Sequence, residues 1–247
     1  MSTSKNNSLR IVFMGTPEFA VESLKNILEA DYNVVGVITA PDRPAGRGRK
    51  VQESAVKQFA VKHHLKVLQP TNLKDESFLK ELKGLNANLQ VVVAFRMLPK
   101  VVWQMPEHGT FNLHASLLPQ YRGAAPINWA IINGEKETGV STFFIDEKID
   151  TGSIVLQKTE KILPNDSAGS LHDRLMAIGA DLVVETCKQI ETGTVTRLPQ
   201  NESLELKSAP KIHKDTCRID WNASMENIYN HIRGLSPYPG AWTKLVN

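Results

Sequence analysis

The sequence predicts an α/β fold built on a doubly wound, mostly parallel sheet. Over residues 9–114, short β-branched runs alternate with segments whose apolar residues recur at helical spacing, the pattern of consecutive βαβ units. The runs are apolar throughout, as is typical of parallel strands covered on both faces. The chain has 247 residues, 41% of them hydrophobic and 22% charged, so it can bury a substantial core. This composition excludes disordered, collagenous, coiled-coil and membrane-spanning classes.

The first predicted unit is a strand, a helix and a second strand. The apolar run at 9–14 ends at a turn made of Gly15, Thr16 and Pro17. Thr16 can cap the helix that follows, and Pro17 suits its first position because no amide donor is needed there. The β-branched run at 34–38 then predicts a second strand, parallel to the first.

Strands and helices are expected to alternate as far as residue 114, after which a hairpin and one long helix follow. The further helices are expected at 53–62, 75–85, 126–132 and 170–191. The further strands are expected at 66–68, 89–94, 110–114, 139–144 and 154–162.

The cysteines and the N-terminus bear on compartment and metal content. Cys187 and Cys217 lie far apart and form no C-x-x-C pair, so we expect neither a zinc site nor a disulfide framework, and no metal. The first eight residues lack the apolar segment of a signal peptide, and no apolar run reaches the roughly 18 residues that span a bilayer. We therefore expect a cytoplasmic protein that does not bind membranes.

A proline- and glycine-rich loop at 41–50 concentrates positive charge. Its basic side chains are Arg43, Arg47, Arg49 and Lys50. Four basic groups less the one acid, Asp42, leave the loop with a net charge of +3, which equals that of the whole protein. Guanidinium groups on a flexible backbone suit a phosphate-rich partner, and a solvated surface loop is the alternative.

Asn112 and His114 are separated by one residue on a predicted strand, so their side chains point to the same face. Open α/β sheets place their sites at the C-terminal ends of strands, which is where this pair lies. Singly, each residue would most often be structural. Together, an amide donor and an imidazole suit oxyanion stabilisation and proton transfer.

Two further segments could complete such a site. The turn at Gly15, Thr16 and Pro17 opens a helix, but the G-x-G-x-x-G pattern is absent and Pro17 lacks an amide donor. We therefore do not expect a dinucleotide there, and the turn is a candidate wall of an acceptor pocket. Asp150 would orient His114 if its segment folded back, and otherwise belongs to an acidic hairpin turn.

The order of these motifs resembles that of the folate-dependent formyltransferases, and among them the methionyl-tRNA formyltransferase family. The resemblance runs from about residue 9 to residue 242. Asn112-Leu113-His114, then Ser116-Leu117-Leu118-Pro119 and later Asp150-Thr151-Gly152 are similar to the motifs of the superfamily. The loop at 41–50 and the Arg-Gly-Ala-Ala-Pro run at 122–126 resemble the tRNA-directed family.

The resemblance implies a Rossmann-like domain that moves the formyl group of 10-formyltetrahydrofolate to the α-amino group of methionine on initiator tRNA, without a metal. Asn112 would donate a hydrogen bond to the tetrahedral oxyanion. His114, as an imidazolium, would stabilise that oxyanion and return a proton to the leaving nitrogen. Asp150 would orient His114 and help to deprotonate the amine.

The resemblance also implies binding surfaces. Folate contacts are expected from Ser116, Leu117, Leu118 and Pro119, and from a pterin-pocket stretch of Phe95, Arg96, Met97 and Leu98. That stretch is closer to the purine-synthesis formyltransferases, because the tRNA-directed family often has Tyr-Gly where this chain has Phe-Arg. The tRNA acceptor end is expected at Arg43, Arg47, Arg49 and Lys50.

From the resemblance we expect a disordered tail at 1–8, a catalytic domain at 9–207, and a linker region at 208–247 leading to an OB-type C-terminal barrel that this chain lacks. We expect a monomer. The alternatives are a formyltransferase for a small amine (a sugar nucleotide or glycinamide ribonucleotide), a hydrolase that releases formate from the same folate, and a non-catalytic tRNA-binding module.

Overall fold

A computed structural model of the chain describes residues 9–45, 50–203 and 205–244. The expected tail at 1–8, and Arg47 and Arg49 of the basic loop, lie outside these described residues. The predicted fold class is confirmed: helices cover both faces of a mostly parallel sheet. Within the described ranges, no helix is long and apolar enough to cross a membrane.

The strands are β1 (Arg10–Gly15), β2 (Asn33–Ile38), β3 (Arg43–Ala45), β4 (Lys50–Gln52), β5 (Val67–Leu68), β6 (Leu89–Val93), β7 (Thr110–His114), β8 (Arg122–Gly123), β9 (Glu137–Phe144), β10 (Ile154–Lys161) and β11 (Ser208–Ala209). The α-helices are α1 (Glu18–Glu29), α2 (Ala55–Lys62), α3 (Glu76–Gly84), α4 (Lys100–Trp103), α5 (Pro126–Ile132), α6 (Ala168–Thr192) and α7 (Met225–Gly234).

Seven strands form the main sheet, in the order β10-β9-β7-β6-β1-β2-β5. The pairs from β7 to β5 are parallel, and β9 and β10 add an antiparallel edge. In chain order, β2 and β5 lie on one side of β1, and the later strands β6 and β7 lie on its other side. The order therefore reverses between β1 and β6, and the sheet opens a crevice at the carboxyl ends of these strands.

The strand β1 shows why residues 11–14 are all apolar. Ile11 and Phe13 belong to the core cluster on the face covered by α1 and α6, whereas Val12 and Met14 belong to the cluster on the face covered by α3 and α4. All four side chains are fully buried. A strand covered on both faces cannot alternate with polar residues, because each would be buried without a partner.

Three local expectations differ from the structure. The helix α1 begins at Glu18 with Pro17 as its N-cap and no side-chain cap, so Thr16 does not cap it. The loop predicted at 41–50 contains the strand β3 and the first residue of its antiparallel partner β4, and its proline and glycine content obscured this pairing. The short helix α4 was not predicted, because four residues are too few to show a helical period.

Candidate active site

A cavity of about 690 Å³ opens at the carboxyl ends of β6 and β7. This volume is in the range of sites for small molecules. Its wall includes Pro17 after β1, Val92 of β6, the stretch 94–98, and Asn112 and His114 of β7. Further lining residues come from 123–128, 145–146 and 148–150. The cavity thus lies where the strand order reverses, as the fold predicts.

Asn112 and His114 point into this cavity from one face of β7. Phe111 and Leu113 alternate with them and join the core cluster that α6 covers. The Asn112 side chain has no hydrogen-bond partner among the described residues, so its amide is free to donate to a ligand. His114 is buried, with 7% of its surface exposed.

The two ring nitrogens of His114 have different partners. The Nε2 atom lies 2.8 Å from the backbone carbonyl oxygen of Tyr121. A carbonyl oxygen can only accept, so Nε2 donates and carries a proton in every charge state. The Nδ1 atom lies 3.8 Å from Oδ2 of Asp150, which is an ion-pair distance but too long for a hydrogen bond. Nδ1 is therefore the ring nitrogen that faces Asp150 without a hydrogen bond to it.

Asp150 is held at this position by its backbone and by one amide. Its φ is +55°, in the left-handed region that Asp tolerates better than most residues. The amide of Gly123 donates a 2.9 Å hydrogen bond to Oδ2, the same oxygen that faces His114. Gly152 lets the turn approach the sheet closely, because a Cβ at this position would lie 1.7 Å from the Phe144 carbonyl oxygen.

The short segment 121–123 therefore binds both His114 and Asp150. Tyr121, immediately before β8, accepts from His114, and Gly123 of β8 donates to Asp150. The strand β8 pairs in parallel with β11, and the amide of Tyr121 donates to the carbonyl of Lys207. Nothing in the sequence signals this pairing, since each strand has only two residues.

The stretch Phe95, Arg96, Met97 and Leu98 lines the cavity, where the sequence predicted a pterin pocket. Arg96 does not point freely into it, because its guanidinium donates to the carbonyls of Pro70 and Thr71. Burial and the nearby charge of Arg43 lower the pKa of Arg96. This stretch offers a ligand mainly backbone groups and apolar side chains.

Ser116, Leu117, Leu118 and Pro119 do not line the cavity. Ser116 is fully buried and donates to the carbonyl of Gln120, while its own carbonyl accepts from Ser141 of β9. The amide of Leu118 donates to the same Ser141 hydroxyl. These residues brace the loop after β7 against the antiparallel edge of the sheet, and their direct contact with a folate stays a prediction.

The turn after β1 contributes one residue to the cavity. Pro17 lines it, but Gly15 and Thr16 do not. Gly15 is buried, and a Cβ there would lie 2.6 Å from the Cβ of Ala20. Gly15 therefore allows α1 to pack closely on the sheet, and an acceptor-pocket role for Gly15 and Thr16 stays a prediction.

The basic hairpin, defined as the paired strands β3 and β4, begins close to the cavity. Arg43 is exposed and acts electrostatically on Arg96 in the cavity wall. Asp42 binds Lys57 and Gln69, which lower its pKa, and among the described residues it forms no ion pair with Arg43. Lys50 begins β4, and Arg47 and Arg49 lie outside the described residues.

Sequence reasoning missed several residues of the wall. His172 of α6 contributes an imidazole, packed edge-on against Phe19 with ring centroids 5.2 Å apart. Lys148 and Ile149 contribute an exposed cation and an exposed apolar side chain at the mouth. Lys148 and Ile149 immediately precede Asp150, and Ile149 belongs to the same run as the Asp150-Thr151-Gly152 motif. His172 belongs to no motif, and only a helical register that places it towards the sheet could have identified it.

A second cavity of about 600 Å³ lies between α7 and the end of α5. It contains none of the residues that the sequence singled out as functional. Within the described part of the chain, no group of three or more His, Cys, Asp and Glu side chains has the arrangement of a metal site.

Comparison with known proteins identifies two matching family models. Residues 9–187 match the formyl transferase family, and residues 211–247 match the formyl transferase C-terminal domain. The methionyl-tRNA formyltransferase of Flavobacterium johnsoniae is 64% identical over 95% of this chain and 74% of its own length. That of Parabacteroides distasonis is 61% identical over 98% of this chain and 76% of its own length.

Solved structures show the same fold. An N-formyltransferase from Helicobacter canadensis, in complex with folinic acid and dTDP-3-aminofucose, has a TM-score of 0.66 at 26% identity and covers 92% of this chain and 80% of its own. A 4-N formyltransferase from Francisella tularensis has a TM-score of 0.74 at 18% identity, and the match covers 96% of this chain and 93% of that protein. The chain therefore belongs to the formyl transferase family, as one of its methionyl-tRNA formyltransferases.

Proposed function

We propose that the reacting groups of this formyltransferase are Asn112, His114 and Asp150, which act as the chain moves a formyl group from 10-formyltetrahydrofolate to the α-amino group of methionyl initiator tRNA. The observation that carries the proposal is the placement of an unpartnered amide, an imidazole and a carboxylate around one cavity. These are the groups that an uncatalysed amine–amide exchange lacks: an oxyanion donor and a relay for one proton.

The cavity suits a folate donor. The stretch 94–98 presents backbone and apolar groups for a flat heterocycle, and its position at the end of β6 places that heterocycle beside Asn112. The Helicobacter canadensis relative holds folinic acid, a formylated folate, on the same fold. We expect the formyl carbon of the donor to lie between Asn112 and His114.

The reaction begins when the neutral amine attacks the formyl carbon. The carbonyl π bond breaks, and its electron pair goes to oxygen, forming a tetrahedral oxyanion. The free amide of Asn112 donates a hydrogen bond to that oxygen. Imidazolium His114 adds positive charge beside it. Both groups are fixed before the reaction, so no reorganisation is required as the charge develops.

One proton then moves from the attacking nitrogen to the leaving nitrogen. Asp150 takes the proton of the new ammonium, directly or through a water molecule, and Nδ1 of His114 gives a proton to the nitrogen of the folate as the carbon–nitrogen bond breaks. Transfer from Asp150 to Nδ1 through a water molecule that bridges the 3.8 Å gap restores both groups. The proton balance closes without a metal ligand or a covalent enzyme intermediate.

The basic hairpin is the proposed contact for the tRNA acceptor end. Arg43 is exposed, the opposing charge of Asp42 is bound by Lys57, and the cavity mouth is adjacent. Guanidinium groups in this setting bind phosphates through bidentate hydrogen bonds. A formyltransferase for a small amine would not need such a feature at its entrance.

The test compares formyl transfer to methionyl-tRNA, a UDP-amino sugar and glycinamide ribonucleotide by wild type and His114→Ala. We expect transfer only to the tRNA, and a loss of about 100-fold or more in kcat for the variant. Transfer at the wild-type rate by His114→Ala would refute the assigned roles, activity only on a small acceptor would refute the tRNA substrate, and formate release without an acceptor would indicate a hydrolase.

A further inference from the structure

The tautomer of His114 depends on the backbone carbonyl of Tyr121, and Tyr121 itself is unusually constrained. Its φ is +60°, in the left-handed region, although it is a bulky residue that rarely adopts this conformation. Such a conformation persists only where surrounding contacts over-determine it. The contacts that do so are therefore candidates for setting the position of the imidazole.

Three contacts fix Tyr121. Its amide donates a 2.7 Å hydrogen bond to the carbonyl of Lys207, which adjoins β11. Its hydroxyl donates at 2.5 Å to Oε1 of Glu135 and accepts at 3.2 Å from Asn133. Its ring is buried, with 5% of the residue exposed. Both ends of the residue are thus anchored to groups outside the strand β7 that holds His114.

Glu135 connects these anchors. The same Oε1 that accepts from Tyr121 also accepts from Nζ of Lys207 at 2.5 Å. Burial opposes the charge of Glu135, but hydrogen bonds from Lys207 and Tyr121 more than offset it and lower the pKa of Glu135. Burial and the neighbouring Glu135 raise the pKa of Tyr121, so its hydroxyl stays protonated and remains a donor.

We propose that Glu135 is a positioning residue for formyl transfer: through the hydroxyl of Tyr121 and the ammonium of Lys207 it fixes the Tyr121 carbonyl, which keeps the proton of His114 on Nε2 and directs Nδ1 towards Asp150. This inference rests on the proposed function for its effect on catalysis. Its structural part, the tautomer of His114, does not depend on the reaction.

The segment held by Glu135 contacts both His114 and Asp150. Residues 121–123 accept from His114 at one end and donate to Asp150 at the other, so a shift of this segment changes the His114–Asp150 geometry from both sides. An active-site group displaced by about 1 Å can lose about 100-fold in rate. Glu135 does not line the cavity. We therefore expect its replacement to lower kcat and to leave substrate binding unchanged.

The experiment uses the full chain labelled with ¹⁵N-histidine, as wild type, Glu135→Ala, Glu135→Gln and Tyr121→Phe. The Gln variant keeps an oxygen that can accept from the Tyr121 hydroxyl, whereas Ala does not. Glu81→Gln is the matched control, because Glu81 also pairs with a lysine, Lys66 at 3.0 Å, but on a distant part of the fold.

At a pH high enough for the His114 imidazole to be neutral, we expect wild type and Glu81→Gln to show it as the Nε2–H tautomer. Glu135→Ala and Tyr121→Phe should show a mixture of tautomers, with kcat lowered about tenfold and KM for both substrates changed less than about twofold. Glu135→Gln should recover part of kcat. Thermal unfolding of each variant establishes that the assays are made on folded protein.

Unchanged tautomer and kcat in Glu135→Ala would overturn the proposal. So would a kcat loss that vanishes when the variant is assayed well below its unfolding temperature, because that loss would be structural. A mixed tautomer with wild-type kcat would show that Glu135 orients His114 but that the proposed role of His114 in transfer is wrong. The two hypotheses therefore fail in distinguishable ways.

Discussion

The Nδ1 atom of His114 lies 3.8 Å from Oδ2 of Asp150, and neither group depends on the other for its position. His114 is fixed by a hydrogen bond to the Tyr121 carbonyl, and Asp150 is fixed by the amide of Gly123. The gap is short enough for charge stabilisation and leaves both atoms available to a third group that hydrogen-bonds to each. Such a pair can pass a proton through that third group while His114 keeps its hydrogen bond to Tyr121 and Asp150 keeps its hydrogen bond to Gly123.

Replacing Asn112 tests the oxyanion role. Asn112→Ala should lower kcat about 100- to 1,000-fold, because one preorganised donor to the developing oxyanion is lost. The amide has no protein partner among the described residues, so the thermal midpoint should stay close to that of wild type. Initial rates at saturating folate and tRNA check this prediction. A loss confined to KM would contradict it, since that would mark Asn112 as a binding group.

Replacing Asp150 separates charge from geometry. Asp150→Asn keeps an oxygen that can accept from Gly123, so the turn should keep its shape. The variant loses the negative charge beside Nδ1 of His114, and kcat should fall about 100-fold or more. Stopped-flow transfer assays, with circular dichroism as a check on folding, test this expectation. Near-wild-type kcat would exclude Asp150 from proton transfer.

A glycine substitution tests the approach of the Asp150 turn to the sheet. A Cβ at Gly152 would lie 1.7 Å from the Phe144 carbonyl oxygen, so Gly152→Ala must displace the turn and should cost about 3 kcal/mol or more. Gly84→Ala is the matched control, because nothing lies within 4 Å of its added Cβ. Urea unfolding should show that control at or up to about 1 kcal/mol above wild-type stability. Equal stability of the two variants would contradict the clash.

The Asp166–Arg174 pair predicts acid sensitivity. Two guanidinium hydrogen bonds of 2.7 Å lower the pKa of Asp166 from 3.8 to about 2, and burial opposes them. Because the folded-state pKa is the lower one, the stabilisation is complete above the unfolded pKa and is lost as pH falls through the folded pKa. It amounts to about 2 kcal/mol.

Asp166→Asn should therefore be about 2 kcal/mol less stable than wild type near pH 7, and this difference should shrink as the pH falls from about 4 towards 2. Urea titrations of both proteins across this range measure it. Parallel stability curves for wild type and variant would show that the carboxylate charge of Asp166 does not contribute.

The basic hairpin predicts a salt-dependent effect that is specific to tRNA. Arg43→Ala should raise KM for methionyl-tRNA, reduce the slope of log KM against log salt by about one, and leave KM for the folate unchanged. Lys80→Ala, an exposed cation on α3, is the control. Equal salt slopes for the two variants would place the tRNA contact elsewhere.

Much of the fold was predictable because the relevant signals are local. The range 110–114 was predicted for β7 and is observed as Thr110–His114, and the long helix predicted at 170–191 is observed as Ala168–Thr192. Both segments are long or strongly patterned enough to show a period. The strands β8 and β11 have two residues each, so no period exists and their pairing is decided by packing alone.

The sequence by itself determined the fold class, the family, and the spacing that places Asn112 and His114 on one face of a strand. Only the tertiary structure decided that Asp150 returns to His114 and that Ser116 and its neighbours brace the sheet instead of lining the cavity. It also decided that the Tyr121 carbonyl accepts from His114 while the Tyr121 hydroxyl donates to Glu135. Alternation along a strand is a property of adjacent residues. Contact between residues distant in the chain depends on how β8, β11 and the turn at 150–152 pack together, and no local pattern encodes that.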